Sequence, residues 1–291
     1  MSKCFIFPGQ GSQAVGMGRD LYDANPAARA VFDAVNDALN MKLTDIIFNG
    51  PMEDLTLTAN VQPAIFAVSM AMWAAAGFTA NNDDFIAGHS LGEYSALCAA
   101  GAMSIADTAR LLRLRGVAMQ EAVPVGTGLV AVVLGLEFDA VNQICADAGC
   151  EIANDNGAGQ FVISGLKETV ERAMELALAA GAKRAMPLAL SAPVHCRLQE
   201  PTAARLAAAL ADIEVKTPAA KFISNQTAAV LSDPDGIRAE LAYQITHGVR
   251  WRESVQNMPA LGITETIEVG PGSVLSGLVK RINPNLEAKH V

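Results

Sequence analysis

Short, continuous apolar runs in this chain stop at glycine-rich turns and give way to segments with the 3.6-residue spacing of helices. Lys3 to Phe7 runs into Pro8-Gly9-Gln10-Gly11-Ser12-Gln13, with a helical pattern from about Asp20. Phe85-Ile86-Ala87 runs into Gly88-His89-Ser90-Leu91-Gly92 and then a helix-like Glu93 to Ala100. Thr264 to Val269 meets Gly270-Pro271-Gly272 before a helical Ser273 to Lys280. A strand, a turn and a helix repeated in this way predict an α/β fold with a mostly parallel sheet, whose functional groups gather at the carboxyl ends of the strands.

The middle of the chain has another rhythm. Gly128 to Gly135, Glu151 to Asp155, Phe161 to Gly165 and Arg184 to Leu190 read as strands, with helices over Asp139 to Ala148 and Lys167 to Ala180. That order, βαββαβ, is the ferredoxin-like pattern. It predicts a small domain over 125–190 set into a larger one formed by 1–124 and 191–291, with the cleft between them as the site. Ala64 to Phe78 reads as a buried helix, and the alanine-rich Thr202 to Ala211 as a good helix former.

With 51% hydrophobic and 18% charged residues, the chain can build a large core and enclose a dry reaction site. Its net charge of -9 argues against nucleic acid, which is bound through clustered Lys and Arg. An acidic partner would need a local basic patch, for which Lys183-Arg184 and Lys280-Arg281 are candidates. The apolar start at Cys4-Phe5-Ile6-Phe7 is too short for a secretory signal, and no run is long enough to span a bilayer. Five cysteines without a CxxC pair give neither a disulfide framework nor a zinc signature. The expectation is a reduced, soluble, cytoplasmic protein without a metal.

Gly88-x-Ser90-x-Gly92, between a strand and a helix, has the form of a nucleophile elbow, which lifts a serine hydroxyl clear of the sheet edge. Gly9-x-Gly11-x-x-Ala14 formally fits a dinucleotide fingerprint, but the acidic residue that should follow at a second strand end is replaced by Asp33 inside a helical stretch. The turn is better suited to presenting amides to a developing negative charge. A serine needs a base, and His89, His195, His247 and His290 are available. His290 sits where fraying is expected, and His89 lies in a tight turn that should point it elsewhere. His195, fixed behind Ser191-Ala192-Pro193, is preferred over His247. Ser104-x-x-Asp107 caps a helix running to about Gln120, on which Arg115 falls amid the apolar stripe Leu111, Leu112, Leu114, Ala118 and Met119 while Arg113 projects from the opposite face. A buried guanidinium must meet an acid, either in an internal salt bridge or as a bidentate grip on a substrate carboxylate.

Taken together these motifs resemble the malonyl-CoA:acyl carrier protein transacylases of fatty-acid synthesis. The resemblance rests on Phe7-Pro8-Gly9-Gln10-Gly11-Ser12-Gln13, Gly88-His89-Ser90-Leu91-Gly92-Glu93, Arg115-Gly116 with Met119-Gln120, Asn154-x-Asn156 with Gly159-Gln160, Ser191-Ala192-Pro193-x-His195 and Val269-Gly270-Pro271-Gly272. It implies a hydrolase-like α/β domain interrupted by the ferredoxin-like one. It also implies Ser90 as nucleophile, His195 as base, the amides of Gln10 and Leu91 as oxyanion hole, and Arg115 as binder of the malonyl carboxylate. Gln244 matches the glutamine standing where a serine hydrolase carries its triad acid, with a backbone carbonyl orienting the histidine. Asn154 and Asn156 match cleft-facing polar residues. The implied substrates are malonyl-CoA and the phosphopantetheine thiol of acyl carrier protein, with no permanently bound cofactor and a monomeric enzyme. The rivals are a serine esterase or thioesterase on a related scaffold, an acyltransferase of a polyketide pathway, and a carrier-binding scaffold without chemistry.

Overall fold

The computed structural model describes residues 2–291. Its strands are β1 (Ser2–Phe7), β2 (Phe85–Gly88), β3 (Gly128–Leu134), β4 (Glu151–Asp155), β5 (Gln160–Leu166), β6 (Arg184–Pro187), β7 (Lys221–Ile223), β8 (Val230–Leu231), β9 (Ile263–Glu268) and β10 (Glu287–His290). They form a six-stranded sheet in the order β10-β9-β1-β2-β7-β8 and a four-stranded sheet in the order β4-β5-β3-β6. The first is parallel except at β7–β8, and the second is antiparallel throughout. The fold is therefore the expected α/β arrangement, and the order of the smaller sheet is that of a ferredoxin-like unit.

The parallel sheet puts the ends of β1, β2 and β9 side by side. Phe7 pairs with Gly88, and Ile6 with Glu268, so the three glycine turns leave adjacent strands at the same edge. Beneath them the helix Thr58–Ala75 is buried along nearly its whole length. It begins six residues earlier than the apolar run at Ala64 suggests, because Asn60 and Gln62 are buried polar residues whose side chains accept from Arg113 and Arg115 across the fold. Among the described residues no helix is long and apolar enough to cross a membrane.

Several elements depart from the sequence reading. The strand expected over Arg184 to Leu190 ends at Pro187, after which the chain turns away through a Leu190 to Leu188 hydrogen bond. Helix formation from Asp20 is interrupted at Asn25, whose side chain caps a second helix, Pro26–Leu39. His290 is not frayed: it lies in β10, paired to Glu268 of β9. The turn after β1 does not open directly into a helix, since the next one starts at Arg19, and Asp33 lies inside the Pro26–Leu39 helix. The context that a dinucleotide fingerprint requires is thus missing.

Close backbone approach explains the glycines of the elbow. A Cβ on Gly88 would lie 1.9 Å from the carbonyl carbon of Gly92, and one on Gly92 would lie 2.1 Å from the carbonyl oxygen of Phe7. The helix Gly92–Ala99 can dock on the end of β1 only without those carbons. Gly92→Ala should accordingly cost about 3 kcal/mol or more, at the upper end for overpacking, because the clash is with backbone. Urea unfolding checks this, and a loss under about 0.5 kcal/mol, the size expected of an indifferent surface change, would show that the contact is slack.

Candidate active site

Ser90 occupies the top of the elbow with φ of 55°, a left-handed conformation that is costly for a residue with a side chain. What holds it there is Asn225, at the end of β7. Its Oδ1 accepts the Ser90 amide at 2.8 Å and its Nδ2 donates to the Gly88 carbonyl at 2.6 Å, so one side chain spans the turn. The half-buried Ser90 hydroxyl lies 2.7 Å from Nε2 of His195. His195 is also left-handed, with φ of 52°, and its Nδ1 lies 2.8 Å from the Gln244 carbonyl and 3.1 Å from that of His247. Two carbonyl acceptors require the proton on Nδ1, which leaves Nε2 as an acceptor for the serine hydroxyl. His247 takes part through its backbone only, as its ring stacks on Tyr243 at 3.5 Å.

Arg115 has no exposed surface, and no carboxylate lies within ion-pair distance of it among the described residues. One terminal nitrogen donates to Gln62 Oε1 at 2.6 Å; the other donates to Gln244 Oε1 at 3.1 Å and to Ser90 Oγ at 3.2 Å. Nε has no partner. The internal salt bridge left open by the sequence is not what the fold builds. Two neutral amides hold the guanidinium beside the serine with its charge uncancelled, which is costly unless an anion arrives. Arg113 instead bonds Ala59 and Asn60 on the neighbouring helix.

Gly9 stands so close to the elbow that a Cβ there would be 2.6 Å from the His89 carbonyl, so the turn carrying Gln10 packs on the elbow. Among the described residues neither the Gln10 amide nor the Leu91 amide has an acceptor within the protein. A cleft of about 350 Å³ lies beside the elbow, between the two sheets, lined by Gln10, His89, Asn154 and Asn156 and by apolar residues such as Leu190 and Leu275. The His89 ring bonds Asn156 and not the serine, its Nε2 meeting Asn156 Oδ1 at 2.9 Å in the cleft wall. Asn154 sits where β4 shifts register, and its Oδ1 has no partner. No group of three His, Cys, Asp or Glu converges on a metal-sized space among the described residues, and all five cysteines are free thiols.

Four site residues were not singled out by the sequence reading: Gln62, Asn225, Glu240 and, beyond its place in the elbow motif, Glu93. Glu93 lies fully buried one residue inside the elbow helix; its Oε1 accepts the Asn225 amide at 2.6 Å and its Oε2 accepts Gln244 Nε2 at 2.5 Å. An acid in the otherwise apolar stretch Gly92 to Ala99 is a signal that could have marked it. Asn225 has no such signal, being one polar residue at the end of a three-residue strand.

The acyl transferase domain family matches residues 4–287. The malonyl CoA-acyl carrier protein transacylase of Bacillus subtilis is 45% identical over 293 residues, covering 99% of this chain and 92% of that protein. Among solved structures, the acyl-carrier-protein-S-malonyltransferase of Bartonella henselae superposes with a TM-score of 0.96 at 49% identity, covering 100% of this chain and 95% of that one. A malonyl-transacylase in complex with its type II polyketide acyl-carrier protein gives a TM-score of 0.95 at 41% identity, covering 100% and 96%.

Burial and the nearby Arg115 charge depress the His195 imidazole to about 3, with the two carbonyls acting the other way. Between that value and the ordinary one near 6.5, the unfolded chain binds the proton and the folded one does not, so this group withdraws stability as pH falls. The ring is therefore neutral and able to accept a proton throughout the working range. The pH profile of kcat/KM should stay flat from about pH 5 to about pH 8, and an acid limb near 6.5 would contradict the depressed imidazole.

Proposed function

The chain belongs to the acyl transferase family, and we propose that it carries a malonyl group from malonyl-CoA to the phosphopantetheine thiol of acyl carrier protein, supplying fatty-acid chain elongation. The observation that carries this reading is Arg115: a buried, unpaired guanidinium 3.2 Å from the Ser90 hydroxyl. A simple acyl-CoA gives such a cation nothing to bind, whereas a malonyl group ends in a carboxylate a few atoms from the carbonyl that serine attacks. The same feature sets a malonyl transferase apart from a general esterase, as does Gln244 in place of a triad acid.

In this reading Ser90 Oγ gives its proton to His195 Nε2 and attacks the thioester carbonyl. The tetrahedral oxyanion is held by the Gln10 and Leu91 amides while Arg115 fixes the far carboxylate. As the intermediate collapses, His195 returns the proton to the departing coenzyme A sulfur and a malonyl-serine ester remains. The carrier's thiol then repeats the sequence in reverse. Asn154 and Asn156 line the cleft beside the elbow. Residues 125–190 act as a separate small domain forming one wall of the cleft.

One chain supplies every group of this site, which supports a monomer, and the reaction as written needs no bound cofactor. We assign it to the cytoplasm. Lys183 and Arg281 rim one depression that shares Leu134 and Gln160 with the cleft, and Arg184 and Lys280 adjoin them. That patch is exposed basic ground beside the cleft on a chain of charge -9, which fits docking of an acidic carrier protein.

Incubation with radiolabelled malonyl-CoA should label the wild type covalently and leave Ser90→Ala unlabelled; label retained on that variant would remove Ser90 from the reaction. Arg115→Ala should reduce malonyl transfer at least about 100-fold more than acetyl transfer, the worth of two charge-assisted hydrogen bonds, and equal losses for both would deny Arg115 its role.

A further inference from the structure

Two acids lie buried behind the site with no cation against either. Glu93 is fully buried and Glu240, on the helix Pro234–Tyr243, is 7% exposed. They are held by consecutive backbone amides, which brings the two carboxyl groups together: Asn225 N donates to Glu93 Oε1 at 2.6 Å and Gln226 N donates to Glu240 Oε1 at 3.1 Å. Two ionised carboxylates in contact away from water repel strongly, and such a pair is stable when one proton is shared between them. Burial raises both groups above the usual carboxylate range, Glu93 the further, with the Glu240 charge as the next cause. The remaining charged or titratable neighbours of Glu93 are Arg115 and Tyr94. Of these only Arg115 bonds the amide that also bonds Glu93.

That amide belongs to Gln244. Its Nε2 donates to Glu93 Oε2 at 2.5 Å and to the Ser90 carbonyl at 3.0 Å, and its Oε1 accepts from Arg115 at 3.1 Å. Because the Ser90 carbonyl can only accept and Arg115 can only donate, the amide orientation is fixed with its oxygen toward the guanidinium. We propose that Glu93 and Glu240 form a proton-sharing pair of net charge -1, which acts through Gln244 as the distant counter-charge of Arg115. Glu93 is then a positioning residue. A carboxylate placed directly on Arg115 would compete with the substrate's own; one negative charge set back by a neutral amide offsets part of the burial cost and leaves the binding face open. The proposal rests on Arg115 being the carboxylate-binding group.

Infrared difference spectroscopy of the intact enzyme against its Glu93→Gln and Glu240→Gln variants tests it. At pH 7 the wild type should show a protonated-carboxyl carbonyl band that both single variants lose, since each leaves one acid free to ionise at unchanged net charge. Absence of that band, or its survival in both variants, overturns the shared proton. The double variant Glu93→Gln/Glu240→Gln removes the charge altogether, so KM for malonyl-CoA should fall about tenfold below that of either single variant while KM for acetyl-CoA does not follow. Equal KM values for malonyl-CoA in the double and single variants overturn the counter-charge. The spectrum involves no substrate, so its outcome is separable from the malonyl reading, which the Arg115→Ala comparison decides on its own.

Discussion

A guanidinium with no exposed surface and no carboxylate against it is the constraint around which this protein is arranged. Isolated in an apolar interior, such a charge would cost several kcal/mol, and folding would normally neutralise it with an acid. Here Gln62 and Gln244 supply oxygen dipoles instead. They stabilise the charge without cancelling it and fix the plane of the fork. The helix Thr58–Ala75 therefore carries buried polar residues near its start, and the Gln244–Thr246 turn is packed into the core although it is polar. These elements are shaped by what Arg115 needs.

The serine has a comparable dependence on its surroundings. Its left-handed backbone is tolerated because every neighbour removes an alternative: Gly88 and Gly92 let the turn close on β1, and Asn225 bridges the Ser90 amide and the Gly88 carbonyl. Asn225 is itself held by Glu93, which also holds Gln244. The elbow and the carboxylate grip thus share one support, and the distance between nucleophile and cation is set by a single buried hydrogen-bond network rather than by two independent ones. Networks of this kind are rigid when every member is satisfied, which suits a site that must hold both ends of a short substrate at once.

Much of this was legible in the sequence wherever the signal was local. Strand, glycine turn and helix recur within about 20 residues, a length over which periodicity and turn chemistry are informative. Three turns were found that way, and they do sit side by side. Arg115 was visible as a charge in an apolar stripe, but its surroundings were not, because Gln62 and Gln244 lie 53 and 129 residues away along the chain. Asn225 escaped for the same reason. β7 and β8 are three and two residues long, too short for any alternation to register, and β10 carries the charged and mostly exposed sequence Glu287 to His290. Its place in the sheet comes from pairing with β9, a tertiary contribution that local propensity does not contain.

The way His195 is oriented bears on why this scaffold transfers acyl groups. A carboxylate behind an imidazole steadies the ring and also stabilises the cation formed when it takes a proton. Backbone carbonyls behind His195 steady it equally well but supply only dipoles, while Arg115 nearby opposes a second positive charge. The resulting base is weak. A weak base has a strong conjugate acid, so once His195 holds a proton it returns it readily, to the departing thiolate in the first half-reaction and to the Ser90 oxygen in the second. The cost falls on deprotonating the attacking group, and a thiol, with an ordinary value near 8.5, gives up its proton far more easily than water does. Exchange of one thioester for another through a serine ester is also close to balanced in energy overall. A weakly basic histidine beside a buried cation is thus matched to thiol-for-thiol exchange of a substrate that brings its own negative charge.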